Sequence, residues 1–137
     1  TLPSMRDRRQ GRILNVASTA ALVPGPSMAA YYASKAYVLS FSEALAVELE
    51  GSGVTVTTLC PGATDTEFQD RAKMHKARLL RLGRVSPEQV AEVGFRELMR
   101  GRRVAFASFR DLMLPVLLRV SPRFLQVRSV KWLNDFS

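Results

Sequence analysis

The feature that most constrains this chain is a long helical segment between two β-prone runs. The first run, Arg12 to Ala17 (R-I-L-N-V-A), has the apolar character of a strand buried on both faces, and the second, Val54 to Cys60, is rich in β-branched residues. Between them, Ser27 is expected to cap a helix that continues to about Glu50. A strand, a helix and a second strand form a βαβ unit, so we expect two parallel strands joined by a right-handed crossover.

The remaining elements continue this alternation of helices and strands. Ser86 and Pro87 begin a second helix that should end at Gly101, and Val104 to Phe109 is expected to form a third strand. From Arg110 onwards the chain is apolar and basic, and we expect two short amphipathic helices there. The pattern predicts the α/β class, with a parallel sheet of about three strands flanked by helices. Within the long helix, helical spacing predicts a buried stripe of Val38, Phe41, Leu45 and Leu49.

The composition bounds the class of protein. The 137 residues, 47% of them hydrophobic, are enough for one domain with a core and argue against disorder. Cys60 is the only cysteine, so no disulfide forms within the chain, and a reducing, cytoplasmic compartment is expected. The first residues lack the apolar run of a secretory signal. The longest strongly apolar run, Leu112 to Leu118, is too short to span a bilayer.

The net charge of +8 is unevenly distributed along the chain. Residues 71–137 contain 15 basic and 5 acidic residues, whereas residues 1–70 are slightly acidic. Solvated helix faces are the usual reason for such a run, and contact with an anionic surface is the minority hypothesis. Arginines among apolar residues between Leu112 and Phe136 suit a surface helix, which leaves peripheral membrane contact open. Nucleic acid is not expected as a partner, because the tail lacks a recognition motif and interleaved stacking aromatics.

Tyr31 and Lys35 carry the clearest chemical signal. They lie four residues apart, so on a helix they share one face. A tyrosine hydroxyl normally keeps its proton up to about pH 10, but a neighbouring ammonium favours the phenolate and lets such a residue act as a general acid or base nearer neutral pH. An exposed lysine beside a packing tyrosine is the plain alternative for an isolated pair of this kind.

Further polar residues are expected at one edge of the sheet. Ser18 follows the first strand, and Pro61 and Gly62 follow the second, with Thr64 and Thr66 behind them as hydroxyl donors. Ligands bind at the carboxyl ends of the strands in open α/β sheets, so a substrate oxygen could lie between the serine and tyrosine hydroxyls. A serine that bonds its own turn is the plain alternative.

These segments together resemble a known family. In their order and spacing, three segments resemble the second half of a short-chain dehydrogenase/reductase: G-R-I-L-N-V-A-S, Y-Y-A-S-K-A and C-P-G-A-T-D-T-E-F. The resemblance extends from about Gly11 to Phe68, and more loosely to Phe109. The resemblance implies a partial Rossmann-type, doubly wound parallel sheet. Residues 1–109 would form the C-terminal half of that domain, and residues 110–137 a basic amphipathic helical tail. It also implies an oxidoreductase that transfers a hydride between a nicotinamide cofactor and a carbonyl or alcohol.

The resemblance also implies roles for individual residues. Tyr31 would be the catalytic acid/base, Lys35 would hold the nicotinamide ribose and favour the tyrosine phenolate, and Ser18 would polarise the substrate carbonyl. The cofactor would be NAD or NADP, with NADP slightly favoured, and the substrate a small-molecule carbonyl or alcohol, lipid-like compounds included. No metal site is expected, because His75 has no second ligand at metal spacing. The residues implied to contact the cofactor are Tyr31, Lys35, Pro61, Gly62, Thr64 and Thr66.

Several parts of the family pattern are not among these residues. The glycine-rich phosphate turn, the residue that chooses between NAD and NADP, the N-A-G strand and the catalytic asparagine are not found in the 137 residues. We therefore expect these residues alone to be inactive. The resemblance separately implies that the full-length protein forms a homo-oligomer. A non-catalytic fragment that acts only in assembly or at a membrane surface is the alternative, since the helix that contains Tyr31 often makes a dimer contact in this family.

Overall fold

The computed structural model describes residues 1–64 and 85–134. The polar and basic stretch from Thr66 to Leu82, which we expect from its sequence to be helical, lies outside them. The described elements, in chain order, are α1 (Leu2–Asp7), β1 (Gly11–Val16), a short 3₁₀ helix (Thr19–Leu22), α2 (Ala29–Glu48), β2 (Val54–Cys60), α3 (Pro87–Met99), β3 (Val104–Phe106), α4 (Phe109–Val120) and α5 (Arg123–Asn134).

The strands form one parallel sheet in the order β1-β2-β3, which confirms the expected α/β class. Gly11 pairs with Val54 at one end of the β1–β2 ladder, and Val16 pairs with Leu59 at the other. β2 is central and almost wholly buried. β1 was expected to be buried on both faces, but its residues are half-buried or exposed. Among the described elements β1 is an edge strand, which explains the difference.

Helices cover the two faces of the sheet. Because side chains alternate along a strand, Val54, Val56 and Cys60 of β2 face α2, whereas Leu59 faces α3. Gly94 of α3 lies so close to this leucine that a Cβ would come within 2.8 Å of its side chain. The core therefore has two layers, and the buried residues of its three clusters are Ala17, Leu39 and Cys60, then Leu49, Val54 and Val56, then Leu59, Val93 and Ala105.

The long helix differs from the prediction in its buried face. Phe41 is 50% exposed and stacks on exposed Tyr37, with ring centres 5.9 Å apart, so its place in the predicted stripe is wrong. The inward face instead includes Leu39 and Ser42. Ser42 is buried because its hydroxyl accepts a hydrogen bond from Asn15 of β1 (2.8 Å) and donates to a carbonyl within the helix.

The start of α2 also differs from the prediction. Ser27 does not cap the helix, since its φ is +69°, in the left-handed region. The N-cap is Met28, which makes no side-chain capping bond to the described residues. The helix ends at Glu48, close to the expected Glu50.

The C-terminal part follows the prediction more closely. Ser86 caps α3 by accepting a hydrogen bond from the Gln89 amide (3.2 Å), and Gly101 follows the helix with a φ of +66°. β3 was expected to reach Phe109 but ends at Phe106, because the Ser108 hydroxyl accepts from the Asp111 amide (3.2 Å) at the start of α4. The two expected tail helices are present as α4 and α5. The domain boundary after residue 109 stays a prediction. None of the helices in the described ranges has the length and apolarity needed to cross a bilayer.

Gly53→Ala is expected to destabilise the protein more than Gly51→Ala. The two glycines have φ values of +78° and +76°, so alanine introduces similar left-handed strain, about 1–2 kcal/mol, at either position. At Gly53 the new Cβ would also lie 2.0 Å from the Arg9 carbonyl oxygen, whereas no described atom lies within 4 Å at Gly51. Urea unfolding should give a difference of at least about 2 kcal/mol. Equal unfolding midpoints would show that the turn before β2 moves away from Arg9 without penalty.

Candidate active site

Ser18 is held where β1 and β2 continue to pair beyond the end of β1. The Ala17 amide donates to the Leu59 carbonyl (2.8 Å), and the Thr19 amide donates to the Pro61 carbonyl (3.0 Å). Ser18 is buried between them, and its Oγ lies 3.4 Å from the same Pro61 oxygen. The hydroxyl also accepts from the Ala20 amide (3.1 Å), so it begins the 3₁₀ helix as well. The sheet therefore brings Ser18 against the turn after β2.

Lys35 connects α2 with the carboxyl end of β1. Its Nζ donates to the Val16 carbonyl (3.0 Å), two residues before Ser18. The same Nζ lies 5.8 Å from the centre of the half-buried Tyr31 ring. The predicted shared helix face is present, and it places a cation between the tyrosine and the strand end. The structure thus brings Ser18, Tyr31 and Lys35 to one edge of the sheet.

The turn after β2 carries the next group of predicted residues. The Thr64 hydroxyl donates to the Gly62 carbonyl (3.2 Å), which folds the segment back on itself. Thr64 also forms an isolated parallel bridge with Val85, just before α3. Pro61 borders Ser18 through its carbonyl, as described above, whereas Thr66 lies outside the described residues.

Asp111 lies against this turn and was not expected there. It lies in the first turn of α4, and its Oδ1 lies only 1.9 Å from the position that a Cβ on Gly62 would occupy. Its Oδ2 is buried and has no hydrogen-bond partner among the described residues. Only glycine fits at position 62 without moving this carboxylate. The S-x-x-D pattern at Ser108 to Asp111 is a helix-start signal that could have located α4, although not its contact with the turn.

Tyr32 also has a role that the sequence did not indicate. Its ring is buried, and its hydroxyl donates to Asn134 Oδ1 (3.0 Å) at the end of α5. Burial is the main reason that the pKa of Tyr32 is raised, and the Asn134 hydrogen bond opposes that shift. The Tyr31 and Tyr32 rings meet edge to face, with centres 6.0 Å apart. A buried tyrosine that keeps its proton is therefore the direct neighbour of the candidate acid/base.

Cys60 ends β2 beside these residues but has no reactive thiolate. Its side chain is completely buried, and burial raises the pKa of the thiol to about 11, although a hydrogen bond from the Ser18 backbone and the charge of Lys35 act in the opposite direction. The thiol is therefore protonated at neutral pH. No metal-binding group of three or more His, Cys, Asp and Glu occurs within residues 1–64 and 85–134.

Comparison with known proteins identifies the family. The profile of the family described as short chain dehydrogenase matches residues 1–77, more than half of the chain, so the chain belongs to this family. A crystal structure of a short chain dehydrogenase from Burkholderia cenocepacia in complex with NADP is similar to it, with a TM-score of 0.73 and 26% identity, over 93% of this chain and 50% of that one. This similarity and the parallel sheet define the fold as Rossmann-like.

The curated proteins that are similar to the chain include one named as an inactive dehydrogenase and one named as a steroid dehydrogenase. The inactive 2-(S)-hydroxypropyl-CoM dehydrogenase 2 of Xanthobacter autotrophicus is 37% identical over 105 residues, which covers 66% of this chain and 44% of that protein. The 17-beta-hydroxysteroid dehydrogenase type 3 of Mus musculus is 46% identical over 65 residues, which covers 47% of this chain and 21% of that protein. The chain therefore spans less than half the length of these curated relatives.

Proposed function

We propose that this chain contributes the hydride-transfer end of an NAD(P)-dependent oxidoreductase that acts on a carbonyl or alcohol. The observation that carries the proposal is the Lys35 contact with the Val16 carbonyl, because it joins the helix of Tyr31 to the strand end of Ser18. Family membership supports the same reaction class. The residues at this edge also suit the nicotinamide end of the cofactor, since an ammonium and several hydroxyls provide donors for ribose and carboxamide oxygens.

Each residue has a distinct part in the proposed reaction. When bound, the reduced cofactor supplies a hydride for the carbonyl carbon. Tyr31 gives its hydroxyl proton to the carbonyl oxygen, so the C=O group becomes CH–OH, and in the reverse direction the tyrosine takes the proton back. Lys35 favours the phenolate that this transfer leaves behind. Ser18 holds the substrate oxygen by donating its hydroxyl proton there rather than over the long 3.4 Å contact to Pro61.

The remaining groups shape the pocket around the cofactor and substrate. Gly62 keeps the turn after β2 free of a side chain, and Thr64 stabilises that turn through its bond to the Gly62 carbonyl. Thr66 completes the proposed cofactor-binding set with Tyr31, Lys35 and Pro61. We propose NADP as the slightly preferred cofactor, which is consistent with the NADP bound to the similar Burkholderia structure. Lipid-like carbonyl compounds are proposed among the substrates, and a homo-oligomer is proposed for the full-length protein.

In the full-length protein, Tyr31→Phe should reduce kcat by at least about 100-fold with little change in cofactor affinity, because only the hydroxyl transfers the proton. Lys35→Ala should lower both kcat and cofactor affinity, since one cation serves both. Tyr37→Phe is the matched control, as this tyrosine lies on the same helix but is 67% exposed. Steady-state kinetics and nicotinamide fluorescence titration measure these effects. Near-normal turnover of Tyr31→Phe at saturating substrate would refute the assignment.

The 137 residues alone are proposed to bind cofactor poorly and to be inactive. The pyrophosphate of a dinucleotide rests on a glycine turn and a helix N-terminus, and that glycine motif is not in this sequence. The half-exposed β1 would also be prone to association through its free edge. Titration of the purified 137-residue chain with NADH and NADPH should show no saturable binding and no change in thermal unfolding. Micromolar binding with reduction of a simple ketone would prove this proposal wrong.

A second candidate function is contact with an anionic membrane surface through the tail. We call the exposed apolar side chains of α4 and α5 the tail face, and the same two helices carry exposed cations at Arg119, Arg123, Arg128 and Lys131. Apolar side chains interleaved with cations complement a bilayer with anionic headgroups. The tail face consists of Phe109, Val116, Leu117, Val120, Phe124, Leu125 and Trp132.

If the tail face binds membranes, the full-length protein should sediment with vesicles containing phosphatidylserine but not with pure phosphatidylcholine. The double variant Val120→Glu/Phe124→Glu should lose this binding, because it replaces two highly exposed apolar side chains of the tail face with carboxylates. Phe95→Glu is the control, as Phe95 is equally exposed on α3, outside the tail face. Equal sedimentation of the double variant and the control would refute membrane binding. A dimer that only the double variant dissociates would instead assign the tail face to a second copy of the chain.

A further inference from the structure

The first turn of α2 carries Tyr31, which is the third residue of this helix. The N-cap residue, Met28, makes no side-chain capping bond within the described residues. The preceding Ser27 has a φ of +69°, which few residues other than glycine adopt readily. The local bonds here are backbone ones, from the Met28 amide to the Gly25 carbonyl (3.2 Å) and from the Tyr32 amide to the Met28 carbonyl (3.1 Å), and a side-chain contact from outside this segment adds to them.

Asn134 provides that contact from the far end of the sequence. Its side chain is fully buried at the end of α5. Its Oδ1 accepts from the Tyr32 hydroxyl (3.0 Å), and its Nδ2 donates to the Pro26 carbonyl (3.1 Å). One amide group thus bonds both the first turn of α2 and the loop that leads into it. We call this pair of hydrogen bonds the Asn134 bridge.

The packing around Tyr32 makes the bridge specific. A Cβ on Gly25 would lie 2.2 Å from atoms of the Tyr32 ring, so the loop backbone is packed directly against that ring. The same ring meets Tyr31 edge to face. A shift of the Tyr32 ring would therefore displace its neighbour, because both lie in a single uncapped helical turn.

The loop held by the bridge lies between two proposed catalytic groups. Ser18 starts the 3₁₀ helix, and residues 23–28 connect that helix to α2 and Tyr31. Asn134 bonds both Pro26 and Tyr32. This limits how far the Tyr31 hydroxyl can move relative to the Ser18 hydroxyl at the other end of the loop.

We propose that Asn134 is a positioning residue for Tyr31, and that it acts through Tyr32 and Pro26. This inference rests on the proposed function, because it assumes that Tyr31 transfers the proton. It extends that function to the C-terminal helix, which then takes part in catalysis without touching substrate or cofactor.

Amide hydrogen exchange and kinetics on the full-length protein test the proposal with Asn134→Leu and Tyr32→Phe. Loss of a buried hydrogen bond should accelerate exchange in the first two turns of α2 about tenfold in both variants. The kcat should fall about tenfold, while the dissociation constant for NADPH stays within about twofold, since a misplaced tyrosine weakens proton transfer rather than binding. Tyr32→Phe keeps the test decisive if Asn134→Leu does not fold.

Gln126→Leu is the matched control for general destabilisation. Gln126 is also a buried amide of α5, but its Nε2 donates to the Ser121 and Arg119 carbonyls (2.8 and 3.4 Å), within the α4–α5 connection. This variant should accelerate exchange in α5 and leave both exchange in α2 and kcat unchanged.

The outcomes separate this inference from the proposed function. If Asn134→Leu and Tyr32→Phe accelerate exchange in α2 but leave kcat unchanged, the bridge is only structural and the positioning role is overturned. The same conclusion follows if Gln126→Leu lowers kcat as much as Asn134→Leu. An active Tyr31→Phe enzyme would instead refute the proposed function, and the positioning role with it, while the exchange data would still show whether the bridge holds the turn.

Discussion

The site depends on the parallel pairing of β1 with β2, which continues past the ends of both strands. The last ladder pair, Val16 with Leu59, is followed by bonds from the Ala17 and Thr19 amides to carbonyls of β2 and the turn after it. Backbone hydrogen bonds therefore set the distance between Ser18 and this turn, independently of any side chain. Because the pairing is parallel, the segments that follow both strands start from the same edge of the sheet, which is the edge where ligands bind in open α/β sheets.

A single hydrogen bond from a charged side chain connects α2 to this edge of the sheet. The Lys35 side chain reaches the carbonyl of Val16, so the rotation of α2 about its axis is tied to the end of β1. The contact of Asn15 with Ser42 fixes the same helix about two turns further on. Tyr31 then has little freedom to turn away from the strand end, because its own position four residues before the lysine is set by the helix.

The sequence was sufficient for features that depend on local chemistry. The βαβ unit, the capped start of α3 and the two tail helices follow from β-branched runs, an S-P-E-Q start and apolar spacing, all of which act over a few residues. The errors at Ser27 and Phe41 arose where tertiary contacts override propensity. In the loop before α2, Ser27 has a left-handed conformation and Gly25 packs against the Tyr32 ring. In α2 itself, the face that contains Ser42, the partner of Asn15, is turned inward, and Phe41 is left exposed.

Contacts between distant segments could not be predicted, and α5 shows why. This helix buries Gln126 and Asn134 on either side of Val130 and exposes Phe124 and Trp132, which a hydrophobic pattern alone does not imply. The buried amides are tolerated because each finds partners, one in the turn before the helix and the other in Tyr32 and Pro26. A periodicity argument assigns the aromatic residues to the core as well, so it does not place Gln126 and Asn134 on the buried face. The partner of Asn134 is Tyr32, which lies 102 residues earlier in the sequence. A buried role for such an amide can therefore be recognised only when the folded structure shows its hydrogen-bond partners.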